Sequence, residues 1–272
     1  MCKINFCISA LLILAGCQTP EPQKPDAAAF FSKGKWIDLS YEFSNQTLYW
    51  PTATTTFRLD TNFNGRTEAG YYYSAYSFCS PEHGGTHLDA PVHFAEGRMS
   101  VDALTIEQLC GNAVVIDVSA KALANSDYQV SIADIESWEK EHKTIPDSSI
   151  VLFRTGFGAY YPDAARYFGT NAKGPAALDQ LHFPGLHPDA ATWLVNNRKI
   201  KAAGLDTPSI DYGQSKDFRT HQVLMGNNIP AFENVANIQA LPASGIYIMA
   251  LPMKIKGGSG GPLRIAAWIP AS

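Results

Sequence analysis

The stretch His83-Gly84-Gly85-Thr86-His87-Leu88-Asp89-Ala90-Pro91-Val92-His93-Phe94 brings three imidazoles and a carboxylate into one short run. A helix could carry His83 and His87 on one face, but Gly84-Gly85 between them disfavours it. In an extended chain the two histidines would stand roughly 13 Å apart at about 3.3 Å per residue, too far to share an ion about 2 Å from each. The chain therefore has to bend at the glycines, which tolerate positive φ, while Pro91 stiffens the approach to His93. If the run straightens after the bend, His87 and Asp89 point to the same side. The plain alternative, polar residues of a glycine-containing surface turn, suits any one of these side chains. Four at this spacing point to a metal centre.

HGGTHLDAPVHF resembles the HxGTHxDxPxHF motif of the cyclase-like metal-dependent amidohydrolases, a family that includes bacterial kynurenine formamidases and isatin hydrolases. The resemblance continues at Phe153-Arg154-Thr155-Gly156, Phe183-Pro184-Gly185-Leu186-His187, Gly204-Leu205-Asp206-Thr207-Pro208-Ser209-Ile210-Asp211, Pro230-Ala231-Phe232-Glu233-Asn234-Val235 and Gly257-Gly258-Ser259-Gly260-Gly261-Pro262. It implies that His83, His87 and Asp89 bind one divalent metal, manganese or zinc, and that His93 is the catalytic acid/base. In formamidase-like members a His and a Glu twelve residues later hold a second ion, with the Asp bridging; His221 and Glu233 stand at that spacing. The longer branch, which the C-terminal GGSGGPLRI resembles, is described by a single ion, so both one and two ions are carried forward. The plain reading of His221 and Glu233 is a buried imidazole hydrogen-bonded to a carboxylate.

The resemblance further implies a swivelling β/β/α fold with a mixed sheet, a homo-oligomer, and hydrolysis of small aromatic or cyclic amides by metal-activated water. The sequence pattern taken alone supports only the α/β class. Trp50, in Tyr49-Trp50-Pro51, resembles the position where members set a Trp against the substrate; core packing is the competing reading for it and for Tyr71, Tyr72 and Tyr73. Asp206 and Asp211 either order the pocket or cap a loop. Arg154 and Arg264 read as salt-bridge partners, His142 as surface, and His182 and His187 as structural or supporting. A rival from another class is a lipoprotein that binds metal or a small ligand without turnover. An unliganded His93 beside the ion is what argues against it.

Lys3, the apolar run from Ile4 to Leu14 and Leu14-Ala15-Gly16-Cys17 read as a lipoprotein-type signal over residues 1–16, with Cys17 the lipidated first residue after cleavage. A plain cleaved signal is the alternative. Gln18 after that cysteine directs the expectation to an exported protein anchored on the periplasmic side of the outer membrane. Residues 17–30 are rich in Pro, Gln, Ala and charge and read as a flexible tether. Residues 31–272 then form a single domain, since no second linker interrupts them. A net charge of −4 without any Lys/Arg run excludes a nucleic-acid partner. Cys79 and Cys110, outside any CxxC context, read as buried free thiols.

Aromatic and β-branched runs predict strands at 35–39, 55–59, 71–78, 113–118, 150–154, 200–205, 245–250 and 263–269. Helix-start signals predict helices from Thr105 to Cys110, from Ser131 to His142 and from Pro188 to Asn197. The GGSGG run lacks the Lys-Ser/Thr and helix of a phosphate cradle and reads as a close-packed turn.

Overall fold

A computed structural model of the chain describes residues 31–271 together with Asp26 and Ala28; the expected signal segment, Cys17 and nearly all of the tether lie outside the described residues. Its organisation follows from strands that are apolar on both sides. Along Cys110–Asp117 and Ile150–Arg154, alternate residues enter two different clusters. Ala113, Val115, Ile150 and Leu152 join one buried set, and Val114, Ile116, Val151 and Phe153 the other. Continuous apolar runs of this kind belong to a sheet covered on both faces.

In chain order the strands are β1 (Gly34–Asp38), β2 (Arg58–Arg66), β3 (Tyr72–Cys79), β4 (His87–Asp89), β5 (Cys110–Asp117), β6 (Gln129–Val130), β7 (Ile150–Arg154), β8 (Gly185–Leu186), β9 (Ala202–Leu205), β10 (Ala231–Glu233), β11 (Ile246–Pro252) and β12 (Gly260–Pro270). Among the described residues from β1 onward, the α-helices are α1 (Ile106–Leu109), α2 (Ser119–Ala124), α3 (Ile132–His142), α4 (Ala164–Tyr167), α5 (Pro188–Arg198) and α6 (Arg219–Gly226). The main sheet runs β1-β12-β11-β5-β7-β9-β10-β4, and β4 also pairs with β12, which closes the sheet into a barrel. Within this sheet β5, β7, β9 and β10 are parallel neighbours and the other pairings are antiparallel, while β6 and β8 form a separate parallel pair. The parallel neighbours need crossovers, and α2 to α6 lie in those connections. Leu88, Phe232, Ile248, Ile265 and their neighbours fill the barrel. Ile135, Trp138, Leu194, Leu224 and Met225 pack from the helices onto its outside.

The α/β class and mixed sheet therefore hold. The helix starts were also legible: Ser131 and Asp134 form a reciprocal capping box, Thr105 accepts from the Gln108 N–H, and Pro188 occupies the first turn of α5. The strand expected at 55–59 is displaced. β2 begins at Arg58 and runs to Arg66, because its partner is β3 in an isolated two-stranded ribbon. With neither face covered, the sequence 60–66 has no apolar alternation to reveal it. Tyr71, Tyr72 and Tyr73, expected in the core, stand exposed on this hairpin, and Cys79 is exposed where a buried thiol was expected; Cys110 is buried.

Leu152 is fully buried inside the barrel. Leu152→Ala is expected to lower stability by about 2–5 kcal/mol, read as a shift in the denaturant midpoint at unchanged slope. A shift below about 1 kcal/mol would mean that the barrel interior collapses around the gap.

Candidate metal centre and active site

β4 is three residues long, yet it pairs on both sides. His87 lies opposite Glu233 of β10 and Pro262 of β12, and Asp89 opposite Ala231 and Gly260. Strand alternation turns Leu88 into the barrel and sends His87 and Asp89 outward on one face, as the spacing required. Glu233 alternates with Phe232 in the same way. The site thus forms on the outside of the barrel.

The bend before β4 falls at the two glycines. Gly84 and Gly85 have φ of 151° and 56°, and a Cβ on Gly84 would overlap the Tyr49 ring. Thr86 donates its hydroxyl to the Asn234 carbonyl at 2.7 Å and accepts the Tyr41 N–H at 2.9 Å, which pins the start of the strand. Asn234 donates to the Gly85 carbonyl at 2.7 Å from the other side.

Asp89 sits at the centre of the donor cluster. Its Oδ1 is 2.6 Å from Nδ1 of His83 and 3.2 Å from Nε2 of His87, while its Oδ2 is 3.2 Å from Nε2 of His221. Glu233 reaches the same imidazoles, Oε2 to His87 at 3.4 Å and Oε1 to His221 at 3.2 Å. α6 supplies His221, whose ring is oriented by Asp211. The Asp211 carboxylate accepts from His221 Nδ1 at 2.6 Å and from the backbone N–H groups of Thr220 and His221 at 3.0 Å each. Asp211 therefore serves both roles left open for it: it caps the start of α6 and it orders a site residue.

Two groups of side chains bring ligand atoms within 4.8 Å of one another: His87, Asp89 and Glu233, and His83, Asp89 and His93. The structure thus brings together all six residues singled out for metal and proton chemistry. It differs from the expected division in setting His93 among the possible donors, with its ring stacked on His83 at a centroid distance of 3.9 Å.

The electrostatics follow from burying two carboxylates among imidazoles. Burial raises the Glu233 pKa, and the neighbouring Asp89 charge adds to the rise. Burial pushes Asp89 the same way, but the His83 and His87 imidazoles hold it well below the usual carboxylate range. For His87, burial lowers the pKa and Asp89 and Glu233 overcome it, giving about 9. His221 is raised despite its burial by hydrogen bonds to Asp211, Asp89 and Glu233. His93 goes the other way: burial takes it down to about 4, against the pull of Asp89. Without a metal, protonated imidazoles balance the buried carboxylates. A divalent cation can supply that charge and leave the imidazoles neutral as ligands, so the donor set fits one.

Above the cluster lies a cavity of about 280 Å³. Its far wall is apolar, formed by Leu48, Trp50, Phe94, Phe168, Pro208 and Phe218. Trp50 is half-buried and meets Phe183 and Phe218 edge-on, at centroid distances of 6.2 and 6.4 Å, so it both packs and lines the cavity. Phe94, Phe218 and Asn234 were not singled out from the sequence. Phe94 closes the HGGTHLDAPVHF stretch and Asn234 follows Glu233 in another stretch of the resemblance, which was the available signal; Phe218 had none.

The remaining residues fall outside the cavity. Arg154 bonds Asp117 at 2.9 Å and the Ile238 and Leu241 carbonyls, and Arg264 pairs with Asp38 at 2.7 Å, as salt-bridge readings predict. Asp206 caps the turn at Thr155 and Gly156. His182 pairs with Asp127, His187 accepts the Asp189 N–H, and His142 lies against Trp138 at the surface.

A barrel with a buried His/carboxylate centre under an aromatic cavity defines an α/β protein built to hold a cation beside a small organic molecule. A family model described as a putative cyclase matches residues 37–212, well over half of the chain, and the protein belongs to this cyclase family. It is 33% identical over 197 residues to an isatin hydrolase of Roseibium aggregatum, covering 70% of this chain and 72% of that one. It is 28% identical over 235 residues to a kynurenine formamidase of Bacillus cereus, covering 85% and 95%. The solved structure of isatin hydrolase A from Ralstonia solanacearum superposes with a TM-score of 0.79 at 30% identity, covering 91% of this chain and 99% of that one.

Gly84→Ala is expected to displace the Tyr49 ring and the bend before β4, lowering the melting temperature and abolishing metal retention together. A variant that retains metal and melts like the parent would show that the bend accommodates a side chain.

Proposed function

We propose that this protein is a metal-dependent hydrolase that cleaves the amide C–N bond of small, uncharged aromatic or cyclic amides. The observation that carries this is the cavity, in which a wall of buried ligand-type side chains faces a wall of aromatic rings. Isatin hydrolase and kynurenine formamidase, the named activities of its relatives, share that bond class. His83, His87 and Asp89 would hold one ion, manganese or zinc, and Asp89 with His221 and Glu233 would hold a second. Such an ion, when bound, brings the pKa of water toward about 7 and polarises a carbonyl. His93 takes the proton from the attacking water and returns it to the departing nitrogen; its burial keeps the imidazole neutral, the form that accepts a proton. Trp50, Phe94 and Phe218 hold the planar ring of the substrate and exclude water.

Among the described residues, no Lys or Arg lines the cavity. With the imidazoles neutral as ligands of an ion, an amino-acid carboxylate on the substrate would find no lysine or arginine to pair with there, which favours a neutral lactam or a simple aryl formamide. Metal or ligand binding without turnover is the weaker reading, since it leaves His93 without a use and the relatives are named as hydrolases. The residue division 1–16, 17–30 and 31–272, with export and lipid anchoring through Cys17 on the periplasmic side of the outer membrane, belongs to the same proposal and rests on the sequence of the leader. So does a homo-oligomer, for which Tyr71, Tyr72, Tyr73 and Phe78 of the hairpin offer exposed apolar surface.

Two substitutions separate binding from chemistry. Asp89→Ala is expected to lose the metal, whereas His93→Ala is expected to keep it while kcat for isatin-type lactams and aryl formamides falls at least about 100-fold. Elemental analysis beside steady-state kinetics reads both. Full metal occupancy in Asp89→Ala sinks the assigned centre, and unchanged turnover in His93→Ala removes it from the proton path.

Cys17→Ser is expected to release the protein from the membrane fraction or leave it unprocessed. Unaltered fractionation with an unmodified N-terminus by mass spectrometry rules the anchor out.

A further inference from the structure

The glycine run at the barrel closure does more than pack. Its backbone is fixed without help from the Ser259 hydroxyl: Gly260 and Gly261 pair with Asp89 and Leu88, the Ser259 carbonyl accepts the Ala90 N–H at 2.8 Å, the Gly258 carbonyl accepts the Val101 N–H at 3.0 Å, and the Gly257 N–H donates to Asp102 at 2.9 Å. The Ser259 hydroxyl nevertheless stands between two functional groups. It lies 2.9 Å from Nε2 of His83 and donates to Oε2 of Glu82 at 2.6 Å. Glu82 Oε2 also accepts the Ser259 N–H at 3.0 Å, so the carboxylate holds the serine by two bonds.

The direction of these bonds decides what they do. A carboxylate only accepts, so the single hydroxyl proton goes to Glu82 and a lone pair is left for a proton on His83 Nε2. That keeps a proton on His83 Nε2; Nδ1 points to Asp89, whose Oδ1 accepts from it at 2.6 Å, and an ion held there would take the place of that Nδ1 proton. The flanking glycines make room: a Cβ at Gly258 would come within 2.7 Å of Glu82 Oε1, and one at Gly260 within 2.6 Å of His83 Cε1.

We propose that Glu82 and Ser259 are positioning residues for the metal centre, holding the Nε2 proton and the ring orientation of His83 so that Nδ1 is presented to the ion. The proposal rests on the reading of His83 as a ligand. The outer partner of a ligating histidine is typically worth about 10–100-fold in metal affinity. A loop that only packs would keep all its backbone bonds in Ser259→Ala and leave that affinity untouched.

The full-length protein, titrated with Mn²⁺ and with Zn²⁺ against a chromogenic chelator, tests this. Ser259→Ala and Glu82→Leu are each expected to weaken binding about 10–100-fold, the double variant no more than the single ones, and Ser259→Thr, which keeps the hydroxyl, to restore it. The metal-free melting temperature should stay with the parent. Imidazole ¹H–¹⁵N spectra of metal-free protein give a readout independent of metal: the His83 Nε2 proton, bonded to Ser259 Oγ, should be observable and slow to exchange in the parent and be lost to exchange in Ser259→Ala. Parent-like affinity and an equally protected His83 Nε2 proton in Ser259→Ala overturn the proposal. If His83→Ala binds metal like the parent, His83 is not a ligand, and the proposal falls with that reading.

Discussion

Everything at the site depends on burying Asp89 and Glu233 side by side. Ionised carboxylates leave water only if positive charge and hydrogen bonds meet them. Here His87 and His221 each face both carboxylates, at 3.2 to 3.4 Å. The strand that carries Asp89 is also the strand that closes the barrel, so the centre is part of the fold's own closure. Its backbone is held on one side by β10 and on the other by β12.

Around the donors lies a set of supporting contacts, each fixing one ring or one turn. Asp211 holds His221 through Nδ1, Asn234 and Thr86 hold the bend at Gly85, and the Ile210 N–H donates to Glu233 Oε1 at 2.7 Å. Every such contact removes a freedom that a bound ion would otherwise have to remove on binding. The barrel interior takes no part in this: Leu88 and Phe232 face inward, and their neighbours in sequence face the site. Strand alternation thus separates stability from chemistry residue by residue.

The cavity above the cluster divides its labour in a similar way. Ligand-type side chains form one wall, and apolar rings form the other. Water excluded by the rings strengthens each charge interaction beneath them, and the opposite shifts of His87 and His93 show how local that environment is. One imidazole, facing two carboxylates, is pulled toward the charged form. The other, buried largely among rings, stays neutral.

The sequence alone determined the α/β class, three helix starts and the density of ligand chemistry at residues 83–93, because caps, apolar runs and ligand spacing are local signals. It also paired His221 with Glu233, though only through resemblance to a family pattern. It did not place β4 or β10, since three residues are too few to show a period, nor α6, whose N-cap residue Phe218 makes no capping bond and whose cap comes from Asp211, earlier in the chain. It put a strand at 55–59 where an uncovered ribbon begins at Arg58, and it left Asp211 undecided between a loop cap and a site residue. Tertiary structure decided those. Barrel closure brings residues 82–89, 221, 233 and 259 to one point, and such convergence depends on pairing between strands distant in sequence, which no local pattern encodes.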